Sequence, residues 1–124
     1  MSTVASIHNQ EIIDQTEKQY INNELRRVSH LSLLDEQLFK IKKVFSETYI
    51  EKRENAHKEK SKEISNKASL NNLKYIMYKN QVKFERILSK EQLITSRKSD
   101  YGLNGDQLEK LKKDVLKMGY KINF

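Results

Sequence analysis

The chain has 124 residues and no proline, and its three glycines all lie in the last quarter of the sequence. Proline and glycine end or kink helices more readily than other residues, because proline lacks a backbone donor and glycine loses the most conformational freedom. So few breakers allow long, uninterrupted helices. The dipeptide Asn104-Gly105 has no alternating strand pattern around it, so it does not indicate a β-hairpin. The sequence therefore predicts an all-α fold.

The apolar content is too low for a thick core. Hydrophobic residues make up 36% of the chain and charged residues 33%, against roughly 45–50% and about 25% in ordinary globular proteins. Thin helical layers, or helices that complete their burial in a dimer, fit this composition. From the length we expect one domain over residues 1–124.

Apolar spacing predicts about four helices. A narrow stripe indicates one N-terminal helix over most of residues 1–30. A second helix is expected after Ser32, a candidate N-cap with Asp35 three residues later. It runs into the charged residues 51–63, which we interpret as an exposed helical arm supported by ion pairs. A disordered charged linker is the alternative interpretation of this run.

The third predicted helix has the cleanest apolar stripe of the chain and follows a predicted turn at residues 65–69. Residues 31–98 would then form a long antiparallel helical hairpin flanked by shorter helices. Ser89 to Gln92 either continue this helix or mark a kink and a restart. Residues 99–105 form the clearest predicted loop.

The last predicted helix and a tail occupy residues 106–124. Asp106 is the predicted N-cap, and Gly119 is the residue expected to end the helix. Residues 120–124 alternate apolar and polar side chains. Such a segment either docks against the bundle in extended form or contacts another subunit.

Positive charge is concentrated in residues 70–99, which carry seven basic and two acidic side chains in a chain of net charge +7. Such a stripe attracts acidic proteins, nucleic acid or anionic lipid, although a solvated face that maintains solubility has the same composition. Tyrosines interleaved with cations either stack on bases or hold apolar and acidic peptide segments. No nucleic-acid-binding motif is present, so nucleic acid is possible but not favoured. The candidate client-binding residues are Lys74, Tyr75, Met77, Tyr78, Lys79, Lys83 and Arg86.

The sequence does not support enzyme chemistry. His8, His30 and His57 lie in separate segments, with no carboxylate or serine at a triad spacing. Cysteine, a helical zinc-protease pair, a phosphate-binding glycine loop and a nucleophile elbow are all missing from the sequence. His30 and His57 with Met77 and Met118 could bind copper or nickel, but none are paired at helical spacing. We expect no catalytic residue and no metal site.

Three features of the sequence bear on the location of the protein. No apolar run approaches the roughly 20 residues that a membrane helix needs. Residues 1–10 lack the basic and apolar stretches of a signal peptide. The lack of cysteine fits an oxidising or a reducing compartment equally well.

A short phrase occurs twice, on either side of the charged hairpin. Each copy reads as an apolar residue, a helix start with an acid in its first turn, and then a glutamine. This pattern anchors a helix by its first turn and carries no chemistry of its own. The residues of this structural motif are Leu33 and Gln37 in the first copy, and Leu88, Ser89 and Gln92 in the second.

The second copy, with the preceding Phe84-Glu85-Arg86-Ile87, resembles the Leu-Thr-x-x-Gln motif of the Spy/CpxP family of small periplasmic helical proteins, with serine for threonine. In the first copy Leu34 replaces the threonine. The resemblance covers about residues 31–98. It implies a cradle-shaped homodimer without cofactor, acting as an ATP-independent chaperone or as an envelope-stress or metal-response modulator. It also implies a periplasmic protein in mature form.

We therefore expect a non-enzymatic binding protein that holds unfolded or acidic client segments on a basic, amphipathic surface. One alternative is a basic cytoplasmic regulator or inhibitor that binds nucleic acid or an acidic protein partner. Another is a metal-responsive sensor of the same family.

Overall fold

The computed structural model describes residues 4–98 and 103–124, and every regular element in these ranges is helical. The predicted all-α class is confirmed. The described residues form six α-helices rather than about four, because two of the predicted helices are each divided. The helices are α1 (Val4–Asp14), α2 (Glu17–Arg27), α3 (Asp35–Lys60), α4 (Asn66–Glu85), α5 (Lys90–Lys98) and α6 (Gly105–Lys117).

The predicted N-terminal helix is interrupted at Thr16, where α2 starts. The Thr16 hydroxyl accepts a hydrogen bond from the Gln19 backbone N–H (3.1 Å), and the Gln19 side chain accepts one from the Thr16 N–H (2.9 Å). This capping box satisfies backbone donors that a helix start leaves unpaired. The expectation of one helix over residues 1–30 was wrong because this pair starts a second helix inside the apolar stripe.

The start of α3 also differs from the prediction. Ser32 has a φ of 53°, in the left-handed region, and follows the short 3-10 turn Ser29–Leu31. Leu34 is the last residue before the helix, and its N–H donates to the side chain of Gln37 (3.0 Å). Ser32 as the N-cap of α3 was therefore wrong, because the turn places it two residues too early.

The C-terminal half of α3 has one exposed side and one side that is packed against α1 and α4. Lys52, Asn55 and Ala56 are buried. From α1, the Asn9 amide donates to the Ser69 hydroxyl of α4 (2.8 Å), and the Asn55 amide donates to the Ser69 carbonyl (3.0 Å). The run is helical to Lys60, as predicted, so the linker interpretation was wrong. The exposed-arm interpretation was wrong for Lys52, Asn55 and Ala56, because α1 and α4 cover this side of the helix.

Helices α3 and α4 run antiparallel, since later residues of α3 contact earlier residues of α4. The chain turns just after Lys60, and the Ser65 hydroxyl starts α4 by accepting from the Ala68 N–H (3.1 Å). The turn predicted at residues 65–69 is therefore mostly the first turn of α4. The cross-helix contacts are Asn55 with Ser69, Glu51 with Lys79, and Glu47 with Lys83.

At the other end, α4 stops at Glu85 and α5 starts at Lys90, which is the kink and restart of the two alternatives. Of the predicted loop, residues 99–102 lie outside the described ranges. Asn104, rather than Asp106, caps α6 by accepting from the Gln107 N–H (2.9 Å). Gly119 has a φ of 87° directly after α6, so its predicted role at the helix end is confirmed.

The apolar side chains form two clusters on the two sides of α4. The first core cluster joins α1, α2 and α3 to one face of α4, and it includes Tyr20, Phe45 and Phe84. The tail cluster joins the other face of α4 to α6 and the tail, residues 120–124. Helix α4 contributes to both clusters, so one of its faces packs against the N-terminal helices and the other holds the tail.

Candidate functional site: the basic, aromatic face of α4

The tail lies directly on the tyrosines of α4. The Tyr75 ring stacks on Tyr120 with centroids 4.5 Å apart and planes 12° apart. Phe124 approaches Tyr75 and Tyr78 edge-on, with centroids 6.0 and 5.9 Å away. Offset stacking and edge-to-face contacts are the favourable arrangements for aromatic pairs. The predicted client-binding tyrosines therefore bind a segment of the same chain.

The tail binds as an extended segment that uses every second side chain. Tyr120, Ile122 and Phe124 pack in the tail cluster, whereas Lys121 and Asn123 are exposed. Period-two alternation places one side of an extended chain against a surface and the other in solvent. The docked alternative for residues 120–124 is the one present in the structure.

Two hydrogen bonds anchor the tail at its ends. The Tyr120 hydroxyl donates to the side-chain oxygen of Asn72, and the Arg86 guanidinium donates to the Phe124 backbone carbonyl. Burial, with a smaller contribution from Tyr75, raises the pKa of Tyr120 above its ordinary value of 10.0. The hydroxyl therefore remains a protonated donor throughout the neutral range.

The three lysines of this face are paired with acids from neighbouring helices. Lys74 lies 3.3 Å from Asp114 of α6. Lys79 pairs with Glu51 of α3 and also lies 5.6 Å from the Tyr75 ring. The third pair, between Lys83 and Glu47, is 3.5 Å long. Ion pairs between partly exposed side chains are weak. These three pairs therefore lower the net positive charge of the face, but they do not hold the lysines firmly in place.

Six of the seven predicted client-binding residues lie around the tail or in these ion pairs. The exception is Met77, which lines a cavity on the opposite face of α4 beside Phe45 and Phe84. Sequence reasoning did not include the tail residues in the site. The signal that could have found them was the apolar alternation of residues 120–124, read together with the aromatic face of α4.

The duplicated motif forms a reciprocal glutamine pair, 55 residues apart in sequence. Gln37 donates to the side-chain oxygen of Gln92 (2.7 Å), and Gln92 donates back to that of Gln37 (3.1 Å). Each oxygen also accepts the backbone N–H three residues earlier, that of Leu34 or of Ser89. Each glutamine side chain therefore caps its own helix and also contacts the other copy of the motif.

The motif glutamines also bind the backbone of the opposite copy. Gln37 donates to the Ile87 carbonyl (3.1 Å), and Gln92 donates to the Leu31 carbonyl (3.2 Å). The two motif leucines, Leu33 and Leu88, both pack against the first core cluster. The motif therefore joins the starts of α3 and α5, and its two copies make equivalent contacts.

The candidate metal ligands of the sequence lie in different environments. His57 contacts Arg53, Met77 lines the cavity, and Met118 belongs to the tail cluster. In residues 4–98 and 103–124 no three histidine, cysteine or acidic side chains converge as a metal site would require. The helices in the same ranges are also too short or too polar to cross a bilayer.

Comparison of the chain with protein-family models, with curated proteins and with solved structures finds no match.

Proposed function

We propose that the protein is a non-enzymatic binding protein whose α4 face holds extended, apolar segments of client proteins. The observation that carries the proposal is the bound tail, an extended segment held through its alternate apolar side chains. A client segment with the same alternation can make the same aromatic contacts in its place. Binding is then an exchange, in which a client displaces residues 120–124 from Tyr75 and Tyr78.

The charges around this face favour clients that also carry acidic groups. Lys74, Lys79 and Lys83 surround the tyrosines. Because their present ion pairs are partly exposed, an incoming carboxylate can compete for each of them. Long-range attraction would speed the first encounter and would weaken as salt screens it. The apolar contacts would then hold the segment.

The test compares the full chain with a variant that lacks residues 120–124. The probe is a fluorescein-labelled peptide with the tail sequence Tyr-Lys-Ile-Asn-Phe, followed by anisotropy. We expect the truncated variant to bind it at least tenfold more tightly, because the internal competitor is gone. Circular dichroism checks that the truncated variant is folded.

The matched control replaces the exposed tail residues Lys121 and Asn123 with serine, which leaves the apolar contacts in place. This variant should bind the peptide as weakly as the full chain does. A second assay follows aggregation of reduced insulin at low salt. Equal peptide binding by the full and truncated chains, or unchanged aggregation at a stoichiometric amount of the truncated variant, contradicts the proposal.

We extend the proposal to a cradle-like, periplasmic homodimer of the Spy/CpxP type. The reciprocal contacts of Gln37 and Gln92 support it, because both copies of the family-like phrase occupy equivalent positions. Phe39 and Ile50, about three turns apart on α3, are 63% and 49% exposed and leave apolar surface for a second copy. Light scattering behind a sizing column tests this point, and a monomeric mass contradicts it.

The bound tail, an extended protein segment with apolar side chains, favours a protein client over the alternative of nucleic acid. Phosphate binding would give a steep dependence on salt. A gel shift with single- and double-stranded DNA at low salt distinguishes the two. A clear shift would favour the cytoplasmic regulator instead.

A further inference from the structure

A cavity of about 220 Å³ lies between α2, α3 and α4. Tyr20, Phe45 and Phe84 form its aromatic wall, and Lys52 lies among its polar residues. Most of its α4 wall faces away from the tail, because Met77 and Phe84 lie about half a helical turn from Tyr75. Leu103, which packs in the tail cluster, also lines the cavity, so the cavity borders the tail cluster at one edge.

Lys52 is an unusual lining residue because its side chain is buried without an ion pair. It is 9% exposed, and no carboxylate of the described residues lies within ion-pair distance of its ammonium group. The ammonium lies 5.3 Å from the centre of the Tyr20 ring. Cation–π contact compensates only part of the cost of removing a charge from water.

The other charges at the cavity already compensate one another. Arg27 and Glu24 lie 2.6 Å apart in an ion pair, so together they contribute no net charge. One positive charge remains, that of Lys52. Its burial, more than the nearby Arg27, lowers its pKa, and Glu24 acts in the opposite direction. A ligand that complements this cavity would therefore carry one negative charge beside an aromatic group.

We propose that this cavity binds a small aromatic monocarboxylate, with its carboxylate at Lys52 and its ring among Tyr20, Phe45 and Phe84. The size agrees, since an apolar cavity of about 150 Å³ holds benzene and this one is larger by roughly the space of a short acid side chain. The carboxylate would form a charge-assisted hydrogen bond with the lysine. The ring would add the offset and edge contacts that aromatic groups prefer.

The test uses two probes of nearly equal shape, phenylacetate and phenylacetamide, titrated into the full chain and followed by amide NMR shifts. Phenylacetate should bind at least tenfold more tightly than phenylacetamide, because only phenylacetate carries a negative charge that can pair with Lys52. Shifts should centre on cavity residues such as Thr48 and Gln81. Equal affinity of the two probes, no binding, or shifts centred on the tail cluster overturns the proposal.

The variant Lys52→Met removes the charge and keeps most of the side-chain volume. We expect it to lower the affinity for phenylacetate at least tenfold and to leave that for phenylacetamide within about twofold. The matched control is Lys40→Met on the exposed side of α3, which should change neither affinity. If Lys52→Met keeps the affinity for phenylacetate, the assigned site is wrong. The comparison of the two probes on the unmodified chain decides the question even if the variant does not fold.

Discussion

The two faces of α4 differ in how fully their clusters exclude water. Among the described residues, the first core cluster contains ten buried side chains and six that are partly buried, whereas the tail cluster contains three buried and eight partly buried ones. Stabilisation follows the apolar area removed from water, at about 25 cal/mol per Å². The first core cluster is thus the scaffold, and we expect the tail cluster to contribute less to stability.

Polar contacts follow the same division. On the scaffold side, Asn9 and Asn55 both bond to Ser69 inside the protein, and Gln37 pairs with Gln92 across two helix starts. The buried bonds to Ser69 are costly to separate, and the partly buried glutamines hold each other by two reciprocal bonds. On the tail side, the anchors are single bonds, a partly buried one from Tyr120 and an exposed one from Arg86. We therefore expect loss of the tail contacts to cost less stability than loss of the scaffold contacts.

The largest expected effect tests the scaffold. Phe84 is 2% exposed and stacks on Phe45 with centroids 5.9 Å apart. Phe84→Ala should lower the free energy of unfolding by about 3–5 kcal/mol, because it removes the ring and enlarges the cavity. Urea unfolding measures the loss. The exposed Leu116→Ala is the control and should stay within about 0.5 kcal/mol of the parent chain.

The glutamine pair should rank next. Gln37→Met removes the cap of Leu34 and leaves the Gln92 side chain without its partner. We expect a loss of about 2 kcal/mol in the free energy of unfolding. Gln92→Met should behave alike, and the double variant should lose less than the sum of the two. Strict additivity in urea unfolding would show that the two side chains act independently.

A smaller loss is expected at the tail. Tyr120→Ala removes the stack on Tyr75 and the bond to Asn72. Both groups are partly exposed, so we expect a loss of roughly 1–2 kcal/mol in the free energy of unfolding. The neighbouring exposed Lys121→Ala serves as control and should change little. A loss as large as that of Phe84→Ala would break the comparison, since the tail would then belong to the scaffold.

The buried charge of Lys52 makes the free energy of unfolding depend on pH. Its folded-state pKa is lowered from 10.5, mainly by burial, so between the two values the unfolded chain binds more protons. The free energy of unfolding therefore rises with pH in that window, by at most about 1.4 kcal/mol per pH unit. Lys52→Met should remove this rise.

The measurement is urea unfolding of both chains at several pH values from about 8 to 10.5, with the variant subtracted at each point. His8 is nearby, and burial followed by Lys52 lowers its pKa, so it is neutral throughout this range. Burial raises the pKa of Tyr20, and this tyrosine is present in both chains. A difference that does not change with pH contradicts the buried charge.

Sequence patterns predicted the helical class because local spacing determines it. They also anticipated Gly119 as a helix end, since only a left-handed position favours glycine so strongly. They missed the break at Thr16, because an internal capping box interrupts a helix without disturbing the apolar stripe. They misassigned Lys52 and Asn55 to an exposed arm, since a charge-rich run gives no sign that α1 will cover it.

The candidate site was only half visible in the sequence for a similar reason. The tyrosines and lysines of α4 share a local segment, so their spacing identified them. Their occupant, residues 120–124, is distant in sequence, and only the folded chain places it there. The glutamine pair is the opposite case. The repeated motif identified Gln37 and Gln92 in the sequence, although they lie 55 residues apart.

The smallest expected effect concerns the pair of Lys83 and Glu47, whose side chains are 36% and 56% exposed. Lys83→Met should change the free energy of unfolding by less than about 0.5 kcal/mol, because an exposed pair gains little over its hydrated parts. The same variant should still weaken the binding of an acidic peptide by the truncated chain, and should reduce its salt dependence. Glu47→Gln is the matched control, since it frees the lysine and should strengthen peptide binding. If Lys83→Met costs stability but leaves binding unchanged, the cations of α4 serve the scaffold, and the two faces of this helix do not differ as proposed.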